Sequence, residues 1–299
     1  MKGWGTDEAV LIRTLAHIPA VEIPCLKSTY ATIEPKEKRT LEHDIKSETS
    51  GRFEDCLVSI LRGPLENDIE ALHGALHVKR GGTHESRLDD VLIGRSNADI
   101  HAIKQAYQAR FHRSLETDVR NDLSMKTERL FMMILAGTRQ EDSAPVLAES
   151  VKADVAALHH ATEGRVGTDE LAVCAILSNR SDAQIRAIAH EYKNGQQHGD
   201  LEMIIKKEFA GHMEQALVQM VRCGVDRAMR DAKRLEDCME GMGTSDTRLI
   251  VVVTALHWDR QHMAQVKGAY RHAYGKELAQ RIRGDTSGDY ERCLVAMIE

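Results

Sequence analysis

The sequence predicts an all-α protein built from four copies of one helical unit. Three observations support this prediction: a recurring glycine-rich turn, a recurring charged segment, and apolar residues at helical spacing between them. The turn, G-x-G-T or a close variant, occurs at 3–8, 80–85, 165–170 and 241–246. The charged segment occurs at 41–61, 115–135, 201–221 and 278–298. A period of about 75 residues with its signatures in a fixed order indicates an internal fourfold repeat.

In each copy, the turn is expected to lead directly into a helix. In the first copy, apolar residues follow the turn at helical spacing: Val10, Leu11, Leu15 and Ile18. Either Thr6 or Asp7 can cap the N-terminus of this helix, because both side chains accept hydrogen bonds from backbone N–H groups. The sequence leaves open which of the two does so.

A middle helix is expected in each copy as well. In the second copy, Ser96 is a suitable N-cap, and Ile100, Ile103 and Tyr107 share one face. In the fourth copy, the stretch LIVVVTAL at 249–256 has the β-branched content of a strand. Because its counterparts in the other copies have helical patterns, we predict a helix there that is buried on all sides.

The four units are expected to occupy 1–62, 63–137, 138–222 and 223–299. The second interval between turns is the longest, because the polar stretch 137–150, which contains Pro145, connects the second and third units. In the second and fourth units a helical pattern leads into the turn, and no such pattern precedes Met1. We therefore expect the first unit to lack its first helix and its loop to be frayed.

The bulk composition argues against several classes of protein. The formal net charge is −6, so a general attraction to nucleic acid or to anionic lipid is not expected. No apolar run is long enough for a membrane-spanning helix, and no signal-peptide pattern opens the chain. No P-loop, nucleophile elbow or dinucleotide-binding turn is present, so we expect a protein that is not an enzyme.

The cysteines indicate a reducing compartment. Six cysteines are scattered along the chain without a C-x-x-C pair, which favours buried, reduced thiols in a cytosolic protein over a disulfide framework or a zinc site. Cys56 and Cys293 stand at matching places on apolar faces of the first and fourth units. We expect both in the core.

The recurring turn has the chemistry of a cation site. Two glycines, one residue apart, let the backbone turn and expose its carbonyl oxygens. The charged segment supplies a carboxylate 40 to 43 residues after the second glycine position, in the order Glu48, Asp122, Glu208 and Asp285. Carbonyl and carboxylate oxygens at flexible geometry suit Ca²⁺ better than Mg²⁺. Four turns, each followed by an acid at matched spacing, predict repeated calcium sites.

Over essentially its whole length, the chain resembles the annexin family. The resemblance rests on the M-K-G-x-G-T turn, on the downstream segments KSETSG and GDTSGDYE, and on the number of units. It implies four repeats of about five short helices each, packed as a curved disc. It also implies that calcium, held by three loop carbonyls and one acid, binds acidic phospholipid headgroups on the convex face.

The resemblance assigns the following groups as calcium ligands. In the fourth repeat, which matches best, they are Met239, Gly241, Gly243 and Asp285; in the first, Met1, Gly3, Gly5 and Glu48. In the second repeat only Gly82 and Asp122 are assigned, and in the third only Gly167 and Glu208. Met1 is expected to be the weakest of these ligands, because its carbonyl lies at a free terminus.

Arginine replaces the first glycine of the turn in two repeats, as Arg80 and Arg165. A guanidinium near the ion repels Ca²⁺, so we expect weaker or altered binding there. The alternative is that Arg80 and Arg165 pair directly with a lipid phosphate and replace the metal by a fixed charge.

The residue between the two glycines is expected to meet the membrane in two repeats. Trp4 and Met242 hold this position in the first and fourth turns, and tryptophan is favoured at the headgroup boundary. The alternative is that these side chains pack against neighbouring protein.

The function that these patterns predict is reversible, calcium-dependent binding to anionic phospholipid membranes, peripherally and on the cytosolic face. Calcium would bridge a net-negative protein to a net-negative surface, and several weak sites would make binding steep in calcium. The alternative is a degenerate-repeat scaffold, cytoskeletal or membrane-associated, with weak or calcium-independent binding. Association with itself or with the cytoskeleton on membranes is a further expectation.

Overall fold

The all-α prediction is confirmed. A computed structural model describes residues 5–33, 40–78, 82–164, 166–195, 199–241 and 243–299, with the backbone alone for Met125. Within these ranges every regular element is helical and no strand occurs. The four-repeat prediction is confirmed too, since the order of turn, helices and charged segment recurs along the chain.

The helices of the first two repeats are short, apart from one long bent helix. They are α1 (Glu8–Leu15), a 3-10 turn (Ala20–Glu22), α2 (Ile23–Ile33), α3 (Leu41–Glu48), α4 (Gly51–Leu76), α5 (Glu85–Leu92), α6 (Asn97–Phe111), α7 (Leu115–Asp122) and α8 (Met125–Leu135). Helix α4 bends sharply at Gly63, where φ is +73° and Pro64 follows. It therefore provides the last helix of the first repeat and the first helix of the second.

The third and fourth repeats each contain five separate helices. They are α9 (Ala148–Ala161), α10 (Glu170–Asn179), α11 (Asp182–Asn194), α12 (Leu201–Glu208), α13 (Gly211–Val225), α14 (Arg227–Met239), α15 (Asp246–His257), α16 (Arg260–Tyr274), α17 (Leu278–Asp285) and α18 (Gly288–Ile298). The stretch between α8 and α9 contains no helix, as the polar sequence around Pro145 predicted.

The chain forms two compact units. One combines the described residues up to Asp68 with Asp231–Glu299, and the other is Ile69–Arg230. In the first unit α18 packs against α1, α15 and α17; in the second, α13 packs against α10, α11 and α12. Each unit has its own aliphatic core, as the low aromatic content predicts.

The β-branched stretch of the fourth repeat is helical, as predicted. Helix α15 carries three consecutive valines, Val251 to Val253, and all three are buried. Because the helix is buried on almost every side, the packing of these valines outweighs their weak helix propensity. Five of the six cysteines, including Cys56 and Cys293, are also buried; Cys25 is exposed, unlike the expectation for the set.

The helix caps follow the sequence. The Asp7 side chain accepts from Val10 N at 3.0 Å and caps α1, which resolves the choice between Thr6 and Asp7. Ser96 caps α6 as predicted, and Asp99 completes a capping box with it.

Each repeat pairs a tyrosine at the end of its middle signature with an acid. Tyr30 donates to Asp44 at 2.6 Å, Tyr107 to Asp118 at 2.9 Å, Tyr192 to Glu163 at 3.4 Å, and Tyr270 to Glu236. In the first two repeats the acid lies on the helix that ends in the predicted ligand acid. In the last two it lies on the chain that leads into the turn. In these two repeats the position that matches Asp44 and Asp118 does not hold an acid.

A buried carboxylate links three helices of the third repeat. Asp154 of α9 accepts two hydrogen bonds from Arg180, at 2.8 and 2.7 Å, and one from Gln184 at 3.0 Å. Burial alone raises the pKa of this carboxyl, but the bonds from Arg180 and Gln184 outweigh it, and the pKa lies below its ordinary value of 3.8.

This pKa predicts how stability depends on pH. A lowered folded-state pKa contributes stability that is present above the unfolded pKa and lost as pH falls through the folded one. Asp154→Asn should lower the free energy of unfolding by about 1–2 kcal/mol near neutral pH, and the difference should shrink below about pH 4. Urea unfolding across this range measures it. Asp142→Asn, at an exposed Asp that pairs with Arg139, is the control, and an equal effect there would contradict the prediction.

No single helix of the described ranges is long and apolar enough to cross a membrane. One bent pair, Glu8–Leu15 with Ala20–Ile33, meets the criteria of length and composition only when its two arms, at 108°, are taken together.

Candidate metal-binding loops

Each turn is built around a glycine in the left-handed region. The φ angles are +92° at Gly5, +87° at Gly82, +79° at Gly167 and +101° at Gly243, with +102° at Gly241 as well. All five glycines are exposed, and a Cβ atom placed on any of them would meet no atom within 4 Å. Glycine is required here by the backbone angle and not by lack of space.

The loop threonine contacts the predicted ligand acid in every repeat. Thr6 Oγ1 donates to Glu48 Oε2 at 3.0 Å, Thr168 Oγ1 to Glu208 Oε2 at 2.5 Å, and Thr244 Oγ1 to Asp285 Oδ2 at 3.3 Å. Thr83 Oγ1 donates to Asp122 Oδ2 in the same way. The structure thus brings together groups that lie 39 to 42 residues apart along the chain.

The residue after the threonine fixes the loop to the helix before it. The backbone N–H groups of His84, Asp169 and Ser245 donate to carbonyls near the ends of the preceding helices, at 3.0, 2.7 and 2.8 Å. This recurring bond closes the second, third and fourth loops in the same way.

The fourth loop contains an additional side chain. Arg281, one turn before Asp285 on α17, donates from Nη1 to Asp285 Oδ1 and from Nη2 to the carbonyl of Met239. Its Nε lies 3.2 Å from Glu236 Oε2. Burial lowers the pKa of this guanidinium, but the bonds and charges of Glu236 and Asp285 outweigh it, and the pKa is raised.

The ligand atoms that the loops can offer indicate which metal ion they fit. Among the residues that the structure describes, no three His, Cys, Asp or Glu side chains converge as metal ligands. A site at these loops therefore depends on backbone carbonyls and one carboxylate, which is the oxygen set of a hard cation. The chain fits calcium in this respect, and the described residues near the loops form no cluster of nitrogen and sulfur ligands of the kind that a structural zinc site needs.

Several predicted site residues lie outside the described part of the chain. They are Met1, Gly3, Trp4, Arg80, Arg165 and Met242. The predictions of a frayed first loop, a weak Met1 ligand, two lipid-facing side chains and two modified turns rest on these residues and stay predictions. The other ligand candidates lie within the described residues. Among them, the Met239 side chain is buried and Glu48 is exposed.

Comparison with known proteins decides the family. The annexin family model matches four segments of the chain, 1–60, 68–134, 153–220 and 230–297. The chain belongs to the annexin family.

This annexin is similar to fungal and animal relatives over its whole length. Annexin C1 of Cryptococcus neoformans var. grubii is 39% identical over 303 residues, which cover 100% of this chain and 63% of that protein. The chain thus spans less than two thirds of this relative. Among solved structures, annexin III aligns with a TM-score of 0.91 at 29% identity, covering 99% of this chain and 89% of that one. A calcium-bound structure, annexin (Sm)1, aligns with a TM-score of 0.86 at 25% identity, covering 99% and 86%.

Annexins are known generally for calcium-dependent phospholipid binding, and they bind membranes peripherally. Members of the family are generally non-enzymatic membrane-binding proteins.

Sequence reasoning missed Arg281 and its partner Glu236. Aligning the helices that end in the ligand acid gives the signal that could have found them. The fourth residue before the acid is Asp44, Asp118 or Ile204 in three repeats and Arg281 in the fourth. A cation in a position otherwise occupied by an acid or an aliphatic residue marks a change in the surroundings of the ligand.

Proposed function

We propose that this annexin binds acidic phospholipid membranes reversibly and only when calcium is present. In each repeat, calcium would take carbonyl oxygens from the glycine turn and the carboxylate beside it, and a lipid phosphate oxygen would complete its shell. The observation that supports this is the contact between loop threonine and ligand acid, repeated four times in one chain.

The charge of the protein makes calcium necessary in this scheme. With a formal charge of −6, the chain is repelled by an anionic surface unless cations stand between the two. Several weak sites in one chain give a steep response to calcium, because the first site that binds raises the effective concentration of the others at the membrane. The calcium-bound state of the similar annexin (Sm)1 supports the choice of ion.

We place this activity at the cytosolic face of membranes, in keeping with the free cysteines of the described chain. Trp4 and Met242 would contact the headgroup boundary, and Arg80 and Arg165 would either weaken their sites or pair directly with lipid phosphate.

Sedimentation with phosphatidylserine vesicles tests the proposal. The protein should sediment with the vesicles in calcium and return to the supernatant when a chelator is added. Vesicles of neutral lipid are the control, and the protein should stay in solution with them at the same calcium concentration. Binding that survives the chelator would reject the proposal and support the degenerate-repeat scaffold instead.

A further inference from the structure

A single guanidinium already joins two of the groups that the annexin pattern assigns to calcium in the fourth repeat. The Met239 carbonyl and the Asp285 carboxylate lie at the C-terminal ends of α14 and α17, and both accept hydrogen bonds from Arg281. Bonds between a guanidinium and a carboxylate are charge-assisted and among the strongest in proteins. The Arg281 side chain is four-fifths buried, so water screens these bonds only partly.

The other repeats have no cationic side chain at the matching position. It is occupied by Asp44 and Asp118, which receive tyrosine hydroxyls, and by Ile204. None of these three side chains can donate a charged hydrogen bond to the ligand acid four residues later. The guanidinium bridge is therefore a property of the fourth repeat, although that repeat matches the annexin turn best by sequence.

The exchange of the tyrosine partner explains how the arginine is accommodated. In the fourth repeat Tyr270 donates to Glu236 on α14, and the matching acid on α17 is absent. Burial raises the pKa of the Tyr270 hydroxyl, and its bond to Glu236 raises it further, so it stays a donor. Glu236 also accepts from Arg281 Nε at 3.2 Å, and it holds the guanidinium at the edge of the loop.

Arg281 in this position and a calcium ion cannot occupy the loop together. Calcium needs its oxygen ligands at about 2.3–2.6 Å, and the guanidinium nitrogens stand at hydrogen-bond distance from two of the same oxygens. Two cations sharing these oxygens also repel each other strongly at short range. Calcium can bind only if the Arg281 guanidinium moves away from both oxygens. Glu236 can remain the hydrogen-bond partner of the guanidinium when it moves.

We propose that Arg281 is a built-in cation that competes with calcium for Met239 and Asp285, so that the fourth repeat binds calcium only at higher concentrations than its turn sequence implies. This inference rests on the proposed function and adds a specificity-determining residue to it. The repeat has an ordered, calcium-free state in which the arginine substitutes for the ion. Its loop loads with calcium only when the ion outcompetes the guanidinium.

Calcium binding by the full chain without lipid tests the inference. Equilibrium dialysis with radioactive calcium would compare the unmodified protein with Arg281→Ile, the residue found at the matching position of the third repeat. One site should gain about tenfold or more in affinity, because charge-assisted bonds no longer have to be broken. Adding Asp285→Asn to Arg281→Ile should abolish this gain. Arg283→Ile is the matched control, since Arg283 lies on the same helix, is half exposed and pairs with Glu299.

The outcomes separate the inference from the proposed function. If Arg281→Ile binds calcium no better than the unmodified protein, the inference is wrong, whatever the other repeats do. If the unmodified protein and the Arg283→Ile control do not sediment with phosphatidylserine vesicles in calcium, the proposed function fails. A gain in Arg281→Ile would then still support the competition.

A second variant keeps the test valid if Arg281→Ile folds poorly. Arg281→Lys keeps the positive charge beside Glu236, but its ammonium is a point charge that cannot span both oxygens in the fork geometry of arginine. It should show a smaller gain in affinity, and calcium should raise its thermal midpoint more than that of the unmodified protein. If Arg281→Ile does not fold, an Arg281→Lys variant with the calcium affinity and calcium-dependent thermal midpoint of the unmodified protein would overturn the inference.

Discussion

A variant in which all four ligand acids are neutralised should lose calcium-dependent binding to acidic vesicles completely. Each loop would keep its carbonyl oxygens, but carbonyls without a carboxylate hold a divalent cation poorly. The variant combines Glu48→Gln, Asp122→Asn, Glu208→Gln and Asp285→Asn. Vesicle sedimentation across a calcium series measures the loss, and circular dichroism verifies that the helices remain.

Because this variant also changes the net charge of the protein, it needs a control variant with the same charge change. Neutralising four acids makes the protein less negative, and this alone favours a negatively charged membrane. A control with the same charge change alters four acids away from the loops, Asp55→Asn, Asp142→Asn, Glu277→Gln and Glu299→Gln, whose side chains are all more than half exposed. The control should bind in calcium at least as well as the unmodified protein. Calcium-dependent binding by the ligand variant would rule out these acids as the ion's ligands.

The single variants should differ from one another. Glu48→Gln, Asp122→Asn and Glu208→Gln should each shift the calcium midpoint upward and make the response less steep, because one of several linked sites is lost. Asp285→Asn should have the smallest effect, because Arg281 already holds that carboxylate.

Asp231→Ala should lower the free energy of unfolding by about 3–5 kcal/mol, because it removes one member of a fully buried charged cluster. Asp231 is 0% exposed; Arg234 Nη1 lies 2.6 Å from its Oδ1, and His262 Nε2 lies 2.7 Å from its Oδ2. Arg234 and His262 are buried as well. Without the carboxylate, the Arg234 charge stays buried beside a cavity and the His262 ring loses its acceptor.

The same helix offers the matched control for this prediction. Asp237 of α14 pairs with Lys233 at 2.7 Å, one helical turn away, and both side chains are about a third exposed. Asp237→Ala should cost at most about 1 kcal/mol, as partly exposed pairs do. Urea unfolding of both variants measures the contrast. Equal costs would mean that the buried cluster contributes no more than a surface pair.

The helices could be predicted because their signals are local. Ser96 and the residues it caps lie within one turn of each other, and the apolar face of α6 follows from spacings of three and four residues. The valines of α15 show the limit of local reasoning, since propensity alone favoured a strand there. The fourfold repeat corrected it, because one fold had to suit all four copies.

The candidate loops could be predicted for a similar reason. A glycine turn and an acid at nearly constant spacing, found four times, imply one arrangement in space, and the contacts from Thr6 to Glu48 and from Thr168 to Glu208 have that arrangement. The sequence could not show which of Thr6 and Asp7 caps α1 and which contacts Glu48. Both can cap a helix, and the choice depends on which of them reaches α3.

The sequence by itself determined the helical class, the four repeats and the pairing of each turn with its acid, because repetition records contacts that every copy must make. Tertiary structure alone decided what is particular to one copy: the buried charges around Asp231, the partner of each tyrosine and the bridge from Arg281 to Met239 and Asp285. These depend on how α14, α16 and α17 pack within one unit. A long side chain such as arginine can reach any of several acceptors, and only the positions of the neighbouring helices select one.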